Sequence, residues 1–438
     1  MIKVGFYEKE ITPPLGCFLP GYFNLRQGSN VKDRLYAKAM VAESNGEAVA
    51  MLVVDGAFGE KEVRDMIVGR IEKYTGIKPE NVMFSGVHTH TGIPRFDYNI
   101  DPDATENQRE YFTVFSKLMA DCVILAYKRL EECDLTFARG YVDGISFCRD
   151  YFMKNSTPRT NPGVLNPDII GPTAEIDKSV PALFAYDKEG NPKGMVFTYD
   201  CHLDCVDGTE YSGDYPAEVS KIMKKKYGED FVTVFFMGTA GNINHFNVKE
   251  PITDPFHYRH MGRLLAEEIL KIEKEAEPLS GDNVSSKFET IKLNRREVAQ
   301  EDIDKAEHIK ATIKEIPGIK IAADNTDPDQ YALAMANRLL DFLKTNPLVF
   351  DIPLQVIKIG DFKLYAFPGE IFSHFGDIVK EGTDTKKHMV ATMSNMAMGY
   401  VVAKEMIYDT IYESRPGSNR LEREAGYKMA EKLLEMGK

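Results

Sequence analysis

The sequence predicts an α/β fold (mixed α+β): a large mixed β-sheet core with parallel βαβ units flanked by helices. Three observations predict it. First, two apolar runs, AVAMLVVDG (48–56) and NVMFSGVHTH (81–90), flank an amphipathic stretch, EKEVRDMIVGRIEKYTG (60–76). Strand, helix and strand over that distance form a crossover unit, so the two strands run parallel. Second, the same alternation of apolar runs and helical periodicity recurs between 106 and 275. Third, PLVFDIPLQVIKIGDFKLYAFPGE (347–370) reads as a β-hairpin turning at Gly360-Asp361.

Taken in order, 48–56 is a short continuous apolar run, as a buried strand requires. The helix over 60–76 places Val63, Met66, Ile67 and Ile71 on one face and ends at Gly76. The run 81–90 is the second strand of the unit. A long helix follows over 106–132, then strands near 134–142, 181–187 and 194–201. A helix over 216–227, a strand over 231–238 and a helix over 257–275 come next. The segment 296–346 is charged and helical in pattern, and reads as a helical insertion. After the hairpin, a helix over 418–436 closes the chain. No repeat, low-complexity tract or Pro/Ser/Gly-rich linker divides the 438 residues, so one large domain over 1–438 is expected.

Composition narrows the function classes. A net charge of −13 argues against nucleic acid and anionic membranes, which need clustered Lys and Arg. No run approaches the ~20 apolar residues of a transmembrane helix. The start, MIKVGFYEKEITPPLG, has no basic segment followed by a long apolar one, so no export signal is expected. The six cysteines are too sparse for a disulfide scaffold, which points to a reduced, cytoplasmic setting.

Chemistry-bearing residues gather where strands are predicted to end. His88 and His90 close the run 81–90, at the carboxyl edge where open α/β sheets place ligands. Two apart in a strand, they would face one side. His202 follows a second apolar strand in FTYDCHLDC (197–205). The Cys201/Cys205 spacing does not suit a structural zinc site, and plain buried thiols are the simpler reading. Glu370 follows a third strand in YAFPGEIF (365–372); a carboxylate there can complete a His/His/Glu metal set. By itself that Glu also fits a helix start. FFMGTAGNINHFN (235–247) has the glycines of a phosphate loop but neither of its signatures, and its Asn242, Asn244 and His245 could line a polar pocket. Arg149 in SFCRD (146–150) could grip a carboxylate or an oxyanion. The remaining histidines have structural readings.

In order along the chain, these blocks resemble the neutral/alkaline (non-lysosomal) ceramidase family. VGFYEKEITPP, LPGY…VKDRLYAKAMVAE and VVDGAFG resemble its opening blocks. NVMFSGVHTHTG resembles its histidine motif, LQVIKIGDFKLYAFPGE its glutamate motif, and NMAMGYV (395–401), more loosely, its tyrosine motif. The resemblance implies a zinc-dependent amide hydrolase, with one Zn2+ per chain. Residue by residue it makes His88, His202 and Glu370 metal ligands, with Tyr400 the fourth, although an alternative alignment of NMAMGYV puts Ala397 there. It makes His90 a catalytic residue near the scissile group and Arg149 an active-site arginine. Asn244 stands where the family has a serine once proposed as nucleophile, which leaves water as the attacking group. Asp204 replaces a threonine beside the second histidine motif. With Asn244 and His245 it is a candidate substrate contact. The family's C-terminal β-sandwich is not expected here.

The implied function is cleavage of an amide (N-acyl) bond of a small-molecule or lipid-like substrate by metal-activated water. Two alternatives stay open: a hydrolase of the same fold acting on a small soluble polar amide or ester, and a non-catalytic homologue with a binding role.

Overall fold

The two predicted crossover strands pair in parallel, and they form one end of a nine-stranded sheet. The structure is a computed structural model that describes residues 1–22, 26–95, 106–316 and 327–438. In chain order its main elements begin with β1 (Lys3–Glu10), β2 (Tyr36–Ser44), β3 (Glu47–Val54), α1 (Lys61–Thr75), β4 (Val82–Gly86) and α2 (Glu106–Lys128). Next come β5 (Glu131–Tyr141), β6 (Ser179–Asp187), β7 (Pro192–Tyr199), α3 (Asp214–Tyr227), β8 (Val232–Met237) and α4 (His257–Ile272). The chain ends with β9 (Val284–Asn294), α5 (Gln300–Thr312), α6 (Pro328–Thr345), β10 (Val349–Ile359), β11 (Phe362–Ala366), α7 (Ser373–Gly382), β12 (His388–Ala391) and α8 (Ala425–Gly437).

The large sheet has the order β8-β7-β6-β5-β1-β2-β3-β4, with Glu277–Pro278 added beside β5. Its pairs are antiparallel except β3/β4 and β7/β8, the two that enclose the α1 and α3 crossovers. The halves are joined by only two residue pairs between β1 and β5. They fold over one another, so Val4, Met40, Met51 and Met83 of one half share a core with Leu135, Leu183, Val196 and Phe235 of the other. Burying each such side chain stabilises by roughly 1.5–3 kcal/mol. This closure explains the location of the site. β4 and β7 are far apart in strand order, yet their carboxyl ends meet: the His90 N–H donates to Leu203 O at 3.0 Å, and Thr89 bridges Leu203.

A second sheet, β9-β10-β11-β12, packs under α7 and α8. The hairpin turns at Gly360-Asp361 as expected, with Ile359 paired to Phe362. Over 296–346 the structure has α5 and α6, packed on each other through Ala306, Ala336, Leu339 and Phe342. Residues 317–326 of that expected insertion lie outside the described residues. Among the described residues, no helix is long and apolar enough to cross a membrane.

Three local expectations are corrected. Met66 is 46% exposed, and the buried face of α1 is Val63, Ile67, Val68 and Ile71. The last helix starts at Ala425, not 418, because Ser418 O and Asn294 O accept from Tyr400 N–H and Glu422 N–H, which draws 418–424 out as a strap. The strand before the histidines ends at Gly86. His88 takes a left-handed backbone, φ +74°, so the chain turns there. His88 and His90 therefore converge through a bend rather than through strand alternation.

Candidate metal centre

His88, His90 and His202 are all buried, and their ring nitrogens lie within 4.8 Å of one another. His88 Nε2 is 3.1 Å from His202 Nε2 and 3.4 Å from His90 Nε2. Glu370 Oε2 lies 3.4 Å from His88 Nε2 and 3.5 Å from His202 Nε2. The four side chains of the cluster come from three chain segments. His88 and His90 come from the turn after β4, His202 from the loop after β7, and Glu370 from the short strand Glu370–Ile371 after β11. The loop after β8 closes the arrangement. Its Gly241 N–H donates to Ile371 O at 2.8 Å, and a Cβ on Gly241 would sit only 2.7 Å from Glu370 O, so the approach needs glycine.

The tautomers follow from the backbone. His88 Nδ1 donates to Ala57 O at 2.8 Å, and His202 Nδ1 donates to Ala240 O at 2.8 Å and Ile243 O at 3.1 Å. Both Nε2 atoms therefore present lone pairs, aimed at each other at 3.1 Å. Two lone pairs in that position repel unless a cation lies between them. Ligands about 2.05 Å from a tetrahedral ion stand about 3.3 Å apart, which matches the spacings among these atoms. Imidazole and carboxylate ligands suit zinc and several other divalent ions. The residues present fit such an ion, and carbonyl acceptors behind both imidazoles are the outer support that metal-binding histidines usually have.

The electrostatics agree. Burial, then Arg149, pushes the His202 imidazole down to about 3, which keeps it neutral. Burial, then His88, holds His90 well below the usual range.

Tyr400 lies beside Glu370: the strand Tyr400–Val401 runs parallel to Glu370–Ile371, with Glu370 in register with Tyr400. Burial and the Glu370 charge raise its phenol, which stays protonated, and its Oη lies 3.0 Å from Tyr412 Oη. Arg149 is 5% exposed, with Nη1 3.5 Å from His202 Nε2 and Nη2 donating to Gly241 O at 2.6 Å. Asp204 Oδ1 lies 3.4 Å from His90 Nδ1 and accepts from Tyr22 Oη at 2.5 Å. The His90 approach is close but not aligned as a hydrogen bond.

Asn244 is committed elsewhere, donating to Asn161 Oδ1 at 2.8 Å and accepting from Phe246 N–H at 3.1 Å. His245 is buried against Phe246, ring centres 4.1 Å apart, and burial pushes it down to about 4. The Cys201 and Cys205 thiols face Ile145 O and Met261 Sδ, as plain buried cysteines would. Sequence reasoning missed Tyr22, Tyr412 and Glu413. Tyr412 and Glu413 sit in a short turn, Tyr412–Ser414, whose letters carry no local signal.

Residues 2–214 match the family described as neutral/alkaline non-lysosomal ceramidase, N-terminal. Neutral ceramidase B of Dictyostelium discoideum is 22% identical over 244 residues, covering 52% of this chain and 33% of that protein. Neutral ceramidase A of the same organism is 21% identical over 239 residues, covering 51% of this chain and 32% of that one. The matched region is thus about a third of the length of these curated relatives. The crystal structure of neutral ceramidase from Pseudomonas aeruginosa superimposes with a TM-score of 0.75 at 18% identity, over 100% of this chain and 74% of that one. A ceramidase complexed with C2 gives 0.73 at 18% identity, with the same coverage. The chain is thus similar to the neutral/alkaline non-lysosomal ceramidase family over residues 2–214, and it shares the fold of the solved neutral ceramidase over its full length.

Proposed function

We propose that this protein is a metal-dependent hydrolase that cleaves an amide (N-acyl) bond with water as nucleophile, using one Zn2+ held by His88, His202 and Glu370, with Tyr400 beside them. The observation that carries the reading is the pair of Nε2 lone pairs facing each other at 3.1 Å, with both Nδ1 atoms tied to backbone carbonyls. When bound, such an ion acidifies water and polarises a carbonyl.

The chain's own residues supply the rest. His90 shares the cluster but differs from the other two imidazoles: its Nδ1 faces the Asp204 carboxylate rather than a carbonyl. A neutral imidazole backed by a carboxylate can take a proton from water and return it to the leaving amine. Arg149 Nη1 and the protonated Tyr400 Oη are donors at the edge of the cluster, placed to meet negative charge growing on the carbonyl oxygen. Asn244 supplies no nucleophile, and its amide is already spent within the fold.

Ceramide is the substrate class suggested by the named relatives. A small soluble polar amide or ester is the competing class. The experiment is a substrate panel of N-acyl sphingoid lipids, small N-acyl amino acids, N-acyl sugars and matching esters, run with the zinc-loaded protein and after chelation. Chelator-sensitive cleavage of an amide supports the proposal. Cleavage that survives full metal removal, or no cleavage by metal-loaded protein across the panel, defeats it.

A further inference from the structure

Behind Arg149 lie two buried carboxyls that the proposed reaction does not use. Asp150 opens the short strand Asp150–Met153, and Glu413 sits in the turn Tyr412–Ser414. Both are 0% exposed. Thr160 Oγ1 lies 2.7 Å from Asp150 Oδ1 and 2.8 Å from Glu413 Oε2. A hydroxyl carries one proton. It can donate to one carboxylate, and toward the other it can only accept. Two ionised carboxylates cannot both be served, so one carboxyl keeps its proton.

The charge count gives the same answer. Arg149 Nε lies 2.7 Å from Glu413 Oε1, an ion contact without hydrogen-bond alignment. One cation balances one anion, and a second anion would stand uncompensated in a buried place. Burial, then the charge of Asp150, pushes Glu413 up to about 8, whereas burial pushes Asp150 only to about 6. The pair therefore holds one proton relayed through Thr160 Oγ1, which accepts from the protonated carboxyl and donates to the ionised one. The titratable and charged groups facing Glu413 are Arg149, Asp150, Tyr400, Tyr412 and, from α6, Tyr331, on which Arg415 stacks at 5.4 Å. Arg149 itself lies 5.5 Å from the Tyr400 ring and 5.4 Å from the Tyr412 ring, so its guanidinium is held on several sides with Nη1 toward His202.

We propose that Asp150, Thr160 and Glu413 form a carboxyl pair sharing one proton that fixes the Arg149 guanidinium beside the metal-binding cluster, which makes Glu413 a positioning residue. The catalytic consequence rests on the hydrolase reading, but the shared proton does not.

The test compares wild type, Glu413→Gln and Glu413→Ala as full-length, zinc-loaded proteins. Infrared difference spectra through a pH titration should show a protonated-carboxyl C=O band in the wild type at neutral pH that is missing in Glu413→Gln. A folded-state pKa raised above the unfolded 4.5 means wild type loses stability as pH rises from there toward about 8, where Gln does not. The melting-temperature gap between Glu413→Gln and wild type should therefore widen over that range. With a turned-over substrate, Glu413→Ala should lower kcat by roughly 10- to 100-fold with KM less affected, and Gln should recover most of the loss. An unchanged carboxyl band, a flat melting gap, or a Gln variant as impaired as Ala would overturn the proposal. If wild type turns over no substrate, the hydrolase reading fails alone, and the infrared and melting results still decide the shared proton.

Discussion

Lys380→Met is the perturbation whose cost the structure defines most fully. Lys380 on α7 places Nζ 2.7 Å from Asp177 Oδ2 and 2.8 Å from Asp200 Oδ2. The three side chains are 15%, 21% and 6% exposed. Asp200 also accepts from Thr239 Oγ1 at 3.1 Å, one residue before the Ala240 carbonyl that holds His202. The lysine thus ties α7 to the two loops that aim an imidazole of the cluster. Burial alone would raise Asp177, but Lys380 brings it down to about 2 from 3.8, which corresponds to about 2.4 kcal/mol for that carboxylate. Removing the lysine also leaves Asp200 buried without its cation, and breaking such a pair costs about 3–5 kcal/mol. The larger figure governs at neutral pH, because both carboxylates are then stranded together. Typical domains have about 5–15 kcal/mol in total, so the variant should still fold. Because Asp177 is depressed in the folded state, its contribution is present above the unfolded pKa of 3.8 and is lost as pH falls toward about 2. Urea unfolding at several pH values is the assay. A loss under ~1 kcal/mol at neutral pH, the range of a surface ion pair, would refute the reasoning. So would a gap that does not narrow in acid.

Other predictions follow from the same geometry. Asn244→Ala leaves the Phe246 N–H and Asn161 without their partner and should cost about 1–3 kcal/mol in chemical unfolding; restored stability in Asn244→Ser would point to a simpler role for that amide. Tyr400→Phe keeps the strand pairing with Glu370 but removes the Oη donor, and kcat should drop by about 100- to 1000-fold if that donor meets the developing oxyanion. Asp204→Asn takes the charge from beside His90. A change in the pH profile of kcat with zinc content intact would show that Asp204 acts through that imidazole, and an unchanged profile would show that it does not.

Much of the scaffold can be read from the letters because it is local. The run 48–56, the periodic stretch 60–76 and the run 81–90 carry their own strand, helix and strand signals, and they became β3, α1 and β4. His202 and Glu370 follow apolar runs, so their place at strand exits was also legible. What was not legible depends on pairing between distant segments. The register of Glu370 with Tyr400, which places the tyrosine rather than Ala397 beside the carboxylate, is fixed by two-residue strands thirty positions apart. The strap 418–424 reads as helical because its backbone partners, Tyr400 and Asn294, are far away in sequence. Glu413 looks like a surface acid in YESRPG until Arg149 and Thr160 are brought against it. The left-handed backbone at His88 carries no residue signal, since that conformation normally favours glycine or asparagine.

The central claim is that His88, His202 and Glu370 hold one divalent ion. Its most direct test is metal stoichiometry, by elemental mass spectrometry and zinc titration calorimetry, on wild type and on His88→Ala, His202→Ala and Glu370→Gln. The account predicts one tightly held ion per chain in the wild type, lost in each variant while circular dichroism shows the fold kept. Wild-type protein that takes up no zinc or other divalent ion, or variants that bind as tightly as wild type, would contradict it.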